Sequence, residues 1–201
     1  MLWLIITLAA GVTGLLLIGW LVMTYNRLVT LRQRWRNAAS QIDVQLKRRH
    51  ELVPNLVETV KGVMGHEAEV LRAVTEARSA ASKRPDWKDA AAVRAAAGRE
   101  NDLVKALAGL MVRVEAYPEL KADQAAGRLM EELASTENRV AFARQAYNDS
   151  AMRYNTTRQT FPNVLVASPL GFHETPLFEI DDAAERALVR VSLGREGGEG
   201  A

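Results

Sequence analysis

The sequence predicts an all-α protein: an N-terminal transmembrane helix, then an antiparallel bundle of three long helices with an extended C-terminal strap. Three observations carry this. No charged side chain precedes Arg27, and residues 2–23 (LWLIITLAAGVTGLLLIGWLVM) are almost wholly apolar. Beyond them, apolar residues recur at steps of three and four over long stretches, the mark of one-sided helices. Five of the six prolines (Pro85, Pro118, Pro162, Pro169, Pro176) fall between or after these stretches, where they punctuate rather than interrupt.

The 22 residues of the apolar run, at about 1.5 Å each, span roughly 33 Å as a helix, enough for a hydrocarbon core of about 30 Å. A single helix satisfies every backbone group internally, as lipid requires. Trp3, Trp20 and Tyr25 lie near its ends, where amphipathic rings favour the interface. A cleaved signal peptide would need a basic start and a run of about 7–15 apolar residues. Here no basic residue precedes the run, and Ala9-Ala10-Gly11 falls inside it. Residues 1–26 are therefore read as a bilayer anchor. Seven basic residues (Arg27, Arg32, Arg34, Arg36, Lys47, Arg48, Arg49) face one acid, Asp43, across positions 27–49. Basic flanks stay on the cytoplasmic side, so the expected arrangement is a single pass through the inner membrane, N-terminus outside and body cytoplasmic. The cluster is read as setting topology only; the alternative is that it also touches anionic headgroups. Thr7, Ala10, Gly11 and Gly14 form a small-residue stripe through which two spans could pack, so a homo-oligomer is one arrangement the span permits.

The body is expected over 27–180, one domain by length. Its first stretch runs to about Ala81 with Leu28, Leu31, Trp35, Ala38, Ile42, Leu52, Leu56, Val60, Val63, Val70, Val74 and Ala77 on one stripe. Pro54 lies inside it, removes a backbone bond and is expected to kink the helix rather than begin a new one. The second, about 86–116, is Ala-rich and carries Leu103, Leu107, Leu110 and Val114. The third, about 122–160, keeps the 4-3 step from Leu129 through Leu133, Thr136, Val140, Ala143, Tyr147, Ser150, Tyr154 and Thr157 to Phe161. That repeat is the signature of a coiled coil or long bundle, and its Ser and Thr positions favour one side of a bundle core. Tyr147 and Tyr154 fall in the seam, so the pairs Tyr147-Asn148 and Tyr154-Asn155 are expected to place rings in the core and amides in bonds across helices. Residues 161–179 (FPNVLVASPLGFHETPLFE) hold three prolines and a glycine, against a helix. Val164, Leu165, Leu170, Phe172, Leu177 and Phe178 are too apolar for water, so the segment is read as a strap along the bundle. Residues 181–201 turn charged and Gly/Glu-rich and read as a flexible tail.

Composition narrows the chemistry. With 26 basic and 24 acidic residues the net charge is only +2, which argues against a dedicated nucleic-acid binder. Absence of cysteine excludes disulfides, thiol nucleophiles and zinc–thiolate sites. His50-Glu51, His66-Glu67 and His173-Glu174 look like starts of a metalloprotease motif, but the fourth position onward holds Pro54, Val70 or Leu177 instead of a second histidine. No phosphate-binding glycine loop and no nucleophile elbow appear, so no cofactor, metal or catalytic residue is expected. The unusually polar stretch 41–67 leaves a candidate partner surface at Arg48, Arg49, Asn55, Lys61, His66 and Glu67. Arg48 and Arg49 are expected to meet the partner; the competing arrangement pairs these residues with acids of the third helix such as Glu137.

Taken together these residues resemble the LemA family of bacterial single-pass membrane proteins. The resemblance runs from Tyr25-Asn26-Arg27-Leu28-Val29 through QIDVQLKRRHELVPNLVETVKG, His66-Glu67 and EAYPELK, with Tyr117-Pro118 at its centre. It continues through TENRVAFARQAYND, Tyr154-Asn155 and Phe161-Pro162 to Gly171-Phe172 and Phe178-Glu179. It covers nearly the whole chain except the last twenty or so residues, and implies a membrane helix, a cytoplasmic helical body and no assigned enzymatic activity. The expected function is a non-enzymatic, membrane-anchored scaffold or adaptor for unidentified protein partners. The alternatives are a self-assembling, membrane-shaping component and a hydrolase with a site between helices.

Overall fold

The computed structural model describes residues 1–179. All regular structure among them is helical: α1 (Leu2–Lys61), a single 3-10 turn (Gly65–Glu67), α2 (Ala68–Ala81), α3 (Ala90–Val114), α4 (Pro118–Ala122), α5 (Gln124–Gln159) and α6 (Val164–Ala167). The expected tail, 181–201, lies outside the described residues.

One continuous helix of 60 residues joins the apolar span to the body. It alone, among the described residues, is long and apolar enough to cross a membrane, and none of its most apolar window is buried by the other described residues. The helix does not reach Ala81 as the apolar stripe implied. It stops at Lys61, where Gly62 and Gly65 flank a tight turn, each glycine costing a helix about 1 kcal/mol relative to alanine. Among the described residues the body therefore holds four long helices (α1, α2, α3 and α5) rather than three.

Pro54 does not end α1. A proline at 54 cannot bond the carbonyl of residue 50, which leaves that acceptor without its helical partner. Arg78, on α2, supplies the missing donor: its Nε donates to the His50 carbonyl at 3.0 Å. The contact fixes α2 against α1 at this level.

Shared contacts set the directions of the helices. Trp35 meets Tyr147 and Tyr154, while Arg48 and Arg49 meet Glu132 and Glu137, so α5 runs antiparallel to α1. Val93, Ala96 and Ala97 share an apolar cluster with the stretch Leu28 to Leu46, and Leu103 to Val114 with Leu52 to Val60, so α3 points the same way as α1 while packing chiefly on α2. Aspartates start α3 and α5: Asp89 accepts from Ala91 N at 2.8 Å, and Asp123 from Ala125 and Ala126 N at 2.7 and 2.9 Å.

After α5 the chain turns at the end nearest the apolar run, where Thr24 Oγ1 donates to Asn163 Oδ1 at 3.3 Å. A one-turn helix forms at 164–167 despite the flanking prolines. The chain then runs extended beside α5. Asn155 and Asn148 each form a two-way bridge to its backbone: Asn155 with Thr175 (2.7 and 3.0 Å), Asn148 with Phe178 (3.2 and 2.9 Å). The Tyr147 and Tyr154 hydroxyls donate to the carbonyls of Pro176 and His173 at 2.7 and 2.9 Å. The amides thus bond the extended segment rather than another helix. Phe172 and Phe178 are buried, whereas Val164, Leu165 and Leu170 are exposed.

Candidate functional site

The interior is divided. One apolar cluster, nearer the span, joins Leu28 to Leu46 with Trp87, Val93 to Ala97, Val140 to Tyr154, Phe172 and Phe178. A second joins Leu52 to Val60 with Leu71, Val74, Leu103 to Val114 and Leu133. Between them lies a charged layer. Arg49 is completely buried and pairs through one guanidinium nitrogen with Glu100, itself 2% exposed, and through the other with Glu137. His50 Nε2 lies 3.0 Å from Glu100 Oε1, closing the layer on the α2 side. Charges this deep persist only when paired.

The structure divides the six residues singled out in the sequence. Arg48 is half exposed and pairs with Glu132 of α5; Asn55, Lys61 and His66 are exposed. Glu67 is partly covered, 3.9 Å from Arg113 Nη1. Arg49 does not belong with them. It faces the interior, in the arrangement with Glu137 that competed with partner contact, because it falls on the same seam as Ile42, Leu46, Leu52 and Leu56. Nor do the rest form one stripe: at about 100° per residue Arg48 and Asn55 share a face, while Lys61 is rotated away by roughly 140° and pairs with Glu58 of its own helix at 3.6 Å.

Glu100 was missed in the sequence, although a signal was present. The seam Leu103, Leu107, Leu110, Val114 extends backward by the same steps to Val93, Ala96 and Glu100, a carboxylate where an apolar residue belongs. Trp87 was missed as well. From the loop between α2 and α3 it enters the core against Tyr147 and Phe178, with ring centroids 4.9 and 5.5 Å apart. Its Nε1 donates to Asp43 at 3.2 Å, and Arg84 Nη2 pairs with Asp43 at 2.6 Å. Burial raises the Asp43 carboxyl above its ordinary range, with Arg84 and Trp87 opposing. Burial also raises the phenols of Tyr147 and Tyr154, keeping both as neutral donors to the extended segment.

A profile of the LemA family matches residues 38–193, more than half of the chain. The chain belongs to the LemA family. The match extends past Glu179, where the resemblance read from the sequence ended, to residue 193. Magnetosome protein MamQ of Magnetospirillum gryphiswaldense is 24% identical over 212 aligned positions, covering 96% of this chain and 76% of the relative. Magnetosome proteins MamQ 1 and MamQ 2 of Paramagnetospirillum magneticum are each 25% identical, covering 89% of this chain and 73% of theirs. In this LemA protein the buried Arg49 and Glu100 both lie within the matched region, as does the half-exposed Glu137.

Proposed function

We propose that this LemA protein is a non-enzymatic, membrane-anchored helical scaffold whose body, on the cytoplasmic side of the inner membrane, offers its polar face to protein partners. The observation that supports this most is the unbroken α1. Without a hinge between span and body, the body is held at a set angle to the bilayer, the mechanical requirement of a platform and of little use to a diffusing catalyst. The body is read as an antiparallel bundle closed by the extended C-terminal segment, with Arg48, Asn55 and the His66–Glu67 turn available on its surface. A cytoplasm-dependent reporter fused after Ala201 is expected to be active, and neutralising Arg27, Arg32, Arg34 and Arg36 together to weaken or invert that orientation. An inactive reporter, with external protease cleaving the body, would refute the topology. Affinity purification from membranes in mild detergent, with mass measurement of the particle, is expected to return other proteins bound in fixed ratio. A particle of this chain alone would refute the adaptor role. It would favour self-assembly, for which Val44 and Phe142 speak: both are well exposed along the α1–α5 face beside Gln41 and Arg139.

A further inference from the structure

The loop between α5 and the extended segment has an unusual combination of position and composition. From Gln159 to Phe172 no side chain is ionisable. Within it Phe161 is 75% exposed, Leu165 64%, Val164 44% and Leu170 37%. Burial in the chain would have removed this surface from water, and elsewhere in the loop it does so for Ala167 and Phe172. The loop is also pinned in height. Asn163 is bonded to Thr24, the first residue after the apolar run, and Phe172 meets the Tyr25 ring edge-on at 5.6 Å. Side chains exposed at that level flank the last turn of the span.

Immediately further from the span, a recess of about 600 Å³ opens between α1 and α5, lined by three arginines (Arg27, Arg34, Arg153), three threonines and the apolar Leu31 and Met152. None of the three arginines has an acidic partner among the described residues, unlike Arg48, Arg49, Arg84, Arg113 and Arg158. Apolar side chains at the level of the hydrocarbon edge and unpaired guanidinium groups one to three turns beyond match the two layers of an anionic leaflet in order.

We propose that residues 161–170 form a second, monotopic membrane contact: Phe161, Val164, Leu165 and Leu170 insert into the same leaflet that α1 exits, while Arg27, Arg34 and Arg153 hold the phosphates of anionic phospholipids. The inference rests on the membrane-anchored reading and adds to it. With two attachment points the body cannot rotate about α1, so the bilayer sets which face of the bundle is presented.

Because the chain lacks cysteine, single nitroxide labels test this in the full-length protein. Leu165→Cys and Phe161→Cys are compared with Leu16→Cys in the span and Val112→Cys on α3, in vesicles of phosphatidylcholine with or without phosphatidylglycerol. Collision with oxygen is read against collision with a water-soluble nickel chelate. Labels at 16, 161 and 165 are expected to favour oxygen severalfold over the label at 112. Phosphatidylglycerol should deepen the label at 165, and Arg34→Gln with Arg153→Gln should abolish that dependence. Water-like collisions at 161 and 165 with a lipid-like label at 16 would overturn the second contact and leave the anchor standing. A water-like label at 16 would remove both. Spin–spin broadening at 165 that disappears on dilution with unlabelled protein would assign the patch to a second copy and overturn the proposal. Equal depth at 165 in both lipids would overturn the phosphate contact.

Discussion

Replacing Arg49 with methionine isolates the charged layer between the two apolar clusters. Methionine approximates the length of the arginine stem and fills part of the same space, so the main loss is the guanidinium. Glu100, 2% exposed, then keeps only His50 beside it in the interior. Breaking a buried pair from one side costs about 3–5 kcal/mol, because the remaining carboxylate loses its permanently charged partner and stays out of water. The second limb of the layer contributes far less, since Glu137 is 43% exposed and solvates once released. For a body of this size each kcal/mol moves the melting temperature by about 2–4 °C, so Arg49→Met should lower it by about 6–20 °C. Arg48→Met, next in sequence but paired at the surface, should cost about 0–1 kcal/mol. Adding Glu100→Leu to Arg49→Met removes the stranded carboxylate and should recover most of the loss, since apolar replacement of a whole buried pair is often neutral or better. The measurement is thermal unfolding in lipid nanodiscs followed by circular dichroism. An Arg49→Met variant as stable as Arg48→Met, or a double variant no better than the single, would refute the reasoning.

Arg78→Met should cost about 1.5–3 kcal/mol by leaving the His50 carbonyl unpaired, and markedly less in a Pro54→Ala background, where residue 54 donates to that carbonyl itself; an additive double-mutant cycle would show that Arg78 does not compensate for the proline. Phe178→Ala should lower stability by about 3–5 kcal/mol, and Asn148→Ala, which severs both bonds to the Phe178 backbone, by about 1–3 kcal/mol; tolerance of both would mean that the extended segment is not held on α5. Asp43 titrates above its ordinary value in the folded state, so its ionisation opposes folding: that penalty is absent at pH below 3.8 and complete only above the raised value. The stability lost in Asp43→Asn, from the missing Arg84 pair and altered Trp87 bond, should therefore shrink as the pH rises through that window, and denaturant unfolding showing it constant or growing would contradict the direction of the shift.

The long apolar N-terminal helix was legible because 22 uncharged, mostly apolar residues in a row, the composition lipid would demand, need no tertiary context. The helical class followed for a similar reason, since a 3.5-residue repeat survives whatever covers it, and Leu133, Val140, Tyr147 and Tyr154 are indeed buried. The break at Gly62 to Gly65 was obscured because the apolar stripe resumes with nearly the same phase at Val70 and Val74. Periodicity reports which residues share a face of one helix. It does not report what covers that face. Only the folded chain decided that the basic pair at 48 and 49 splits between surface and interior, because Arg49 points where Glu100 arrives on α3, 51 positions away. Only the folded chain placed Arg78 at the carbonyl that Pro54 leaves open. It also separated the apolar residues after α5 into two sets: Phe172 and Phe178 meet α1, α5 and Trp87, whereas Phe161 and Leu165 are carried beside the end of the apolar run and left mostly uncovered by the other described residues. Composition made all four equally apolar, and their different fates depend on which neighbours the turn at Asn163 brings within reach.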